Sequence, residues 1–222
     1  MTTLLFDYDG TLHESLRIYA PAMQDAYDHL TAQGFAPPRR WTDKELRAWI
    51  GLPPEAAWDQ MLPGLPEAEK RRSIEEVGDG MLSRIEGGGA RLYPGVPEAL
   101  AALKRLGGRM LLLSSCPRSY LEAHDRVFSL SRFFDGLFCG EDFGYQPKYQ
   151  IVQGLLEQYG GPFLVVGDRA ADREAALRNH LRFAGCLYGY GSTEELAGAD
   201  CLLRTPRELW SVLSRLLAFS SD

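Results

Sequence analysis

The chain has 222 residues, 45% of them hydrophobic, with 24 Lys and Arg against 30 Asp and Glu and a formal charge of -6. That length allows one sizeable domain or a domain with a smaller insert, and the acidic balance argues against nucleic acid as the main partner, because backbone binding needs a basic stripe. No run approaches the ~18 to 20 apolar residues that cross a bilayer, no basic segment precedes the first apolar residues, and Cys116, Cys139, Cys186 and Cys201 form no CxxC pair, so the expectation is a cytoplasmic protein without membrane partners.

In chain order, residues 2–7 read as a short buried strand that runs from Leu4, Leu5 and Phe6 directly into Asp7. Helical spacing follows over 15–33, with Leu16, Tyr19, Met23, Tyr27 and Leu30 on one side. Thr42 with Glu45 three places on is a capping box that opens a helix over 42–50. Further helical stretches near 54–62 and 66–86 lead to EGGGARLYPG, whose glycine run and Pro-Gly turn mark a hinge. From there strands and helices alternate: helix 96–106, strand 110–113, helix 117–130, strand 133–140, helix 148–159, strand 163–166, helix 170–181, strand 183–188 and helix 205–218. Such alternation predicts an α/β fold with a parallel sheet covered on both faces. The first strand must join that sheet, which makes the helical block an insertion. The expected organisation is a core of 1–14 and 89–222 and a helical insert of 15–88. Trp41, Trp49 and Trp58 are expected to pack the core of that insert.

Ligands of open parallel sheets bind beyond the carboxyl ends of the strands. Asp7 and Asp9 leave the first strand there, Ser114 and Ser115 leave MLLL, and Asp168 leaves FLVV with Asp172 four positions on; Lys148 opens the helix before FLVV. Each residue type has a use. A strand-terminal carboxylate, Asp7, can attack phosphorus and become an aspartyl phosphate. Asp7 with Asp168 makes a hard oxygen site suited to Mg2+, and a cation would relieve the repulsion between acids placed at buried strand ends. Asp9 can protonate a leaving alkoxide and then activate water. Gly10, with Thr11 beside it, lets backbone N–H groups approach a phosphate. Ser114 can donate to a phosphoryl oxygen, Lys148 can balance charge on the transferring group, and Asp172 can ligate the ion, orient it from behind or serve only as a helix cap. His13 could face substrate, though a hinge or surface role is favoured; Arg118 could reach an anion but reads as a helix-surface arginine, and Cys116 as a small filler.

DYDGT, the strand-terminal serine, a downstream lysine and GDRAAD, in this order, resemble the haloacid dehalogenase (HAD) superfamily over nearly the whole chain. The helical insert after the first motif is similar to that of its C1-cap subfamily, the phosphoglycolate-phosphatase-like hydrolases. The resemblance implies a Rossmann-like parallel sheet core with an inserted α-helical cap that closes over the crevice. It implies Asp7 as nucleophile, Asp9 as general acid/base, and Mg2+ held by Asp7, Asp168 and the backbone carbonyl of Asp9 with help from Asp172. The substrate would be a small phosphorylated metabolite, and the protein a monomer or homodimer. Two departures stand out. Aligned on Pro147, Gln146 takes the place of the family's lysine, whereas aligned on the cation itself, Lys148 does; charge balance favours Lys148. Ser115 stands where Asn is common and is shorter, so a substrate contact of that residue would be lost. On the same scaffold the alternatives are a sugar phosphomutase, a phosphonatase with Lys44 or Lys70 as Schiff-base lysine, and a non-catalytic phosphate-binding protein.

Overall fold

Thr3–Phe6 (β1) is buried along its whole length, as a strand covered on both faces must be. It ends in the motif turn, and a computed structural model, which describes residues 2–218, carries the chain from there into four helices: α1 (Leu16–Ala32), α2 (Asp43–Trp49), α3 (Pro54–Met61) and α4 (Glu67–Glu86). The sheet elements follow: α5 (Val96–Arg105), β2 (Arg109–Ser114), α6 (Arg118–Phe128), β3 (Gly136–Cys139), α7 (Lys148–Tyr159), β4 (Phe163–Gly167), α8 (Ala170–Arg178), β5 (Arg182–Cys186), β6 (Cys201–Leu203) and α9 (Glu208–Ala218).

The strands form one sheet in the order β3-β2-β1-β4-β5-β6, with every neighbouring pair parallel. Chain direction along the sheet reverses between β1 and β4: from β1 the strands step outward to β2 and β3, and from β4 they step the other way. A crevice at the carboxyl ends of β1 and β4 is therefore where this topology binds ligands. Register sets the level of the acids. Phe6 pairs with Val166 and the Asp7 N–H donates to the Val166 carbonyl at 2.8 Å, so Asp7 and Asp168 leave neighbouring strands one residue apart in level. Leu5, Leu111, Leu113, Val152, Val165, Ala175 and Phe183 belong to the core on one face of the sheet.

The chain divides into two compact units, Met1–Glu14 with Leu92–Asp222, and Ser15–Arg91. The helical unit has its own core around Met23, Tyr27, Leu30, Leu46, Trp58 and Met61, with Trp41 and Trp49 packed against it. Its second break falls at Arg91 rather than inside the glycine run at Gly88. The reason is local: Gly87, Gly88 and Gly89 donate back to the carbonyls of Ser83, Ile85 and Arg84, closing the end of α4. After it the chain pairs with the sheet unit in the His13–Leu92 bridge and the Tyr93 N–H to Leu12 carbonyl bond of 2.9 Å. Two strand expectations shift. The segment 133–140 is strand only at Gly136–Cys139, because Phe133 and Phe134 close the 3-10 turn at Leu130–Arg132. A sixth strand, Cys201–Leu203, pairs with β5 where the sequence reading had none.

Candidate active site

Asp7, Asp168 and Asp172 each bring a carboxylate oxygen within 4.8 Å of the others, and all three residues are buried. The single Lys148 Nζ reaches two of them, at 2.6 Å from Asp7 Oδ1 and 2.5 Å from Asp172 Oδ1. Lys148 can do so because Pro147 precedes α7 as its N-cap residue and Lys148 is the first helical position. Gln146, by contrast, is exposed. Asp168 is held by donors on both oxygens: the Thr11 hydroxyl at 3.2 Å and the Tyr190 backbone N–H at 2.7 Å. Asp172 accepts from the Arg169 N–H at 3.0 Å on its second oxygen, so both of its oxygens have donors.

Three buried acids against one lysine leave an excess of negative charge. The Asp7 carboxyl is raised to about 7 overall: burial pushes it up, Lys148 pulls it down, and the Asp172 charge pushes it up again. Burial, then the charges of Asp7 and Asp172, raise Asp168 well above the usual carboxylate range. Burial alone would lower Lys148, but Asp172 and then Asp7 outweigh it and hold the ammonium charged. The backbone around the acids is glycine for a steric reason. A Cβ at Gly10 would collide with the Asp168 carboxylate, and one at Gly167 with Asp172. Gly10 also has φ of 89°, a left-handed conformation that other residues adopt at a cost. A divalent cation suits this donor set: hard oxygens and excess negative charge.

Asp9 sits apart from that cluster in its hydrogen bonding. The turn after it is tight, with the N–H groups of Thr11, Leu12 and His13 all directed at the Tyr8 carbonyl. This brings His13 Nδ1 to 2.9 Å from Asp9 Oδ1, and the Tyr120 hydroxyl donates to the same oxygen at 2.8 Å. Burial alone would raise Asp9; the His13 hydrogen bond and charge outweigh it, and the carboxyl lies below its usual value. His13 is fully buried, which corrects its reading as a hinge or surface residue. Behind it, His124 lies with its ring centroid 4.3 Å from that of His13, and the Tyr8 hydroxyl is 2.8 Å from His124 Nδ1.

Burial, then the His13 charge, lower His124 to about 3. Its folded pKa thus lies below the unfolded value of about 6.5, and the unfolded chain binds the extra proton between these limits. The neutral ring's contribution is fully present above pH 6.5 and is lost as pH falls, by about 1.4 kcal/mol per pH unit. Urea unfolding at pH 6.5, 5.5 and 4.5 should therefore show a shallower loss for His124→Gln than for the parent protein. Equal slopes would mean that the ring is already charged in the folded state.

The remaining expected site residues divide. Ser114 ends β2 and is buried, while Ser115 is exposed. Thr11 is directed at Asp168 and so orients an acid through its side chain, leaving only its N–H for a phosphate, and that N–H turns to the Tyr8 carbonyl. Cys116 lies beside Asp9 and Ser114, and burial pushes its thiol up, away from reactivity. Arg118 is engaged by the carboxylate of Asp142. The sequence reading missed Tyr120, His124 and the Tyr190 N–H. The available signal was the spacing of Tyr120 and His124, four apart on α6.

A family model for haloacid dehalogenase-like hydrolases matches residues 1–180. The chain belongs to the haloacid dehalogenase-like hydrolases. Within this family it is similar to a phosphoglycolate phosphatase of Synechococcus elongatus, at 27% identity over 98% of this chain and 99% of the relative. It is also similar to a 5'-nucleotidase of Pseudomonas aeruginosa, at 29% identity over 87% of this chain and 86% of the relative. Among solved structures, that of a predicted phosphatase from Clostridium acetobutylicum shares the fold of this HAD-like hydrolase, with a TM-score of 0.80 and 23% identity over 96% of this chain and 98% of the other. Among the described residues, no helix is long and apolar enough to cross a membrane.

Proposed function

We propose that this HAD-like hydrolase is a Mg2+-dependent phosphatase of small phosphate monoesters that works through an aspartyl phosphate on Asp7. The observation that carries the reading is the convergence of Asp7, Lys148, Asp168 and Asp172 at the carboxyl ends of β1 and β4. Lys148 fixes Asp7 Oδ1, so the carboxylate is held at the strand end with its charge only partly balanced. It attacks phosphorus as the ester P–O bond breaks, and Asp9 delivers a proton to the leaving oxygen. Asp9 then takes a proton from water, whose oxygen attacks phosphorus and releases Asp7. Gly10 leaves room for the Asp168 carboxylate beside the turn, and Ser114 stands at the end of the adjacent strand. Asp7, Asp168 and the Asp9 carbonyl would hold the metal with help from Asp172, which also holds Lys148 through its Oδ1. Bound there, Mg2+ supplies neutralisation of the acids and of the phosphoryl oxygens. We read the helical unit, 15–91, as the family's cap.

Other chemistry on the same scaffold has less support. A Schiff-base lysine must be neutral to attack a carbonyl. Lys70 is buried between Asp59 at 2.5 Å and Glu67 at 2.8 Å, and hydrogen bonds to these acids raise its pKa. A phosphonatase reading on Lys70 therefore has no free nucleophile. Phosphoglycolate and 5'-nucleotides are the substrates we would try first, because two relatives are named phosphoglycolate phosphatase and 5'-nucleotidase.

The test is inorganic phosphate release from 4-nitrophenyl phosphate and from a panel of phosphorylated metabolites, before and after EDTA. We expect activity with Mg2+, its loss in EDTA and its return on adding Mg2+. Because Asp7 must shed a proton to bind a cation and titrates near 7 without one, the Mg2+ concentration for half activity should rise as pH falls from 8 to 6. Phosphate release that is indifferent to EDTA at every pH would refute the metal dependence.

A further inference from the structure

We propose that Tyr120 and His13 are positioning residues for Asp9: they occupy Oδ1 and leave Oδ2 as the oxygen that gives up and receives the proton. The inference rests on the reading of Asp9 as general acid/base. Two donors converge on one oxygen, the Tyr120 hydroxyl at 2.8 Å and His13 Nδ1 at 2.9 Å. The two donors are 3.3 Å from each other, close enough that both can serve Oδ1 only in one orientation of the carboxylate. An oxygen that already accepts two hydrogen bonds has no geometry left for a proton of its own. When Asp9 is a carboxylic acid, its proton is therefore on Oδ2.

The donors are themselves held from behind. His13 is fully buried and Tyr120 is 6% exposed. The Tyr8 ring stacks on His13 with centroids 5.3 Å apart and planes 15° apart. His124 packs against both His13 and Tyr120, at 4.3 Å and 4.5 Å between centroids. Tyr8 closes the set through its hydroxyl on His124. Side chains with so little rotational freedom convert two hydrogen bonds into a fixed direction for the acid, which is what proton delivery to a leaving group requires. The Asp9 side chain, unlike theirs, is 24% exposed, so the oriented carboxylate is accessible to a reacting group. In the transfer step the leaving oxygen takes the Oδ2 proton as its bond to phosphorus breaks. In the hydrolytic step Oδ2 takes a proton from water as the Asp7–phosphorus bond breaks.

A merely structural pair would affect all substrates alike, whereas a pair that aims a proton affects poor leaving groups most. The test is kcat/KM, which reads events up to phosphoryl transfer, on an alkyl phosphate and on 4-nitrophenyl phosphate, whose leaving group needs no proton. Tyr120→Phe should lower the alkyl value about tenfold or more and the aryl value by less than about threefold. His13→Asn, which keeps an N–H near the Nδ1 position, should retain the parent ratio of the two values, and His13→Leu should lose it. If Tyr120→Phe does not fold, the two His13 variants make the same comparison. Equal losses on both esters in Tyr120→Phe and His13→Leu would overturn the proposal. Asp9→Asn is the control: if it shows no preference between the esters, Asp9 is not the acid, and the reading beneath the proposal fails separately.

Discussion

Replacing Asp7 by Asn should reduce phosphate release by on the order of 10^5 and, in the metal-free protein at pH 8, raise the melting temperature. The first effect removes the nucleophile. The amide keeps the volume and the Oδ1 acceptor for Lys148, which is 2.6 Å away in the parent, so the fold has no cause to rearrange. The second effect follows from linkage. Asp7 titrates at about 7 in the folded chain instead of 3.8, so the folded state binds more protons than the unfolded state between these values, and stability falls as pH rises through them. At pH 8 the full penalty of an ionised buried carboxylate beside Asp168 and Asp172 is present, and Asn removes it. Toward pH 4 the difference should vanish. Differential scanning calorimetry in EDTA at pH 8 and pH 5, with phosphate release in Mg2+, reads both effects. Retained turnover would refute Asp7 as nucleophile; a variant less stable than the parent at pH 8 would refute the account of the charge excess.

That opposition between stability and activity was partly legible in the amino-acid sequence. β1, β2 and β4 are short apolar runs, and their alternation with helical segments fits a sheet covered on both faces. The acids at their ends, and the order of DYDGT and GDRAAD, point to one crevice because parallel sheets bind ligands at that edge. Other features depend on contacts that local pattern does not carry. β6 has three residues, Cys201–Leu203, and is a strand only because β5 offers it an edge. Tyr120 is 111 positions from the carboxylate it donates to, so its role arises from the fold, although its i, i+4 partner His124 marks the same helix face. His13 is polar and follows a turn, which reads as surface; its burial comes from Tyr8, Tyr120 and His124 closing around it. The choice between Gln146 and Lys148 turned on the start of α7, where Pro147 precedes the first helical residue.

The same choice leads to the second large effect. Lys148→Met should destabilise the metal-free protein by about 3–5 kcal/mol at pH 8, the cost of breaking a buried ion pair from one side, and should lower kcat by about 10^2–10^3 in Mg2+. The lysine side chain is 9% exposed and lies between Asp7 and Asp172 at 2.6 and 2.5 Å, so its loss takes from both acids the cation that bonds them. Those acids would answer by taking up protons, and the stability deficit should therefore shrink between pH 8 and pH 5. Gln146→Ala, at an exposed position, should stay within about 0.5 kcal/mol of the parent and keep its turnover. Lys148→Arg separates the two roles of the cation. Arginine keeps the charge but presents a planar fork in place of a point charge, so it should recover much of the stability while kcat remains low. Urea unfolding in EDTA at the two pH values, with kcat in saturating Mg2+, measures all three variants. A Lys148→Met protein as stable as the parent at pH 8, or a Gln146→Ala protein that loses turnover, would show that the acids are balanced by something other than the lysine that touches them.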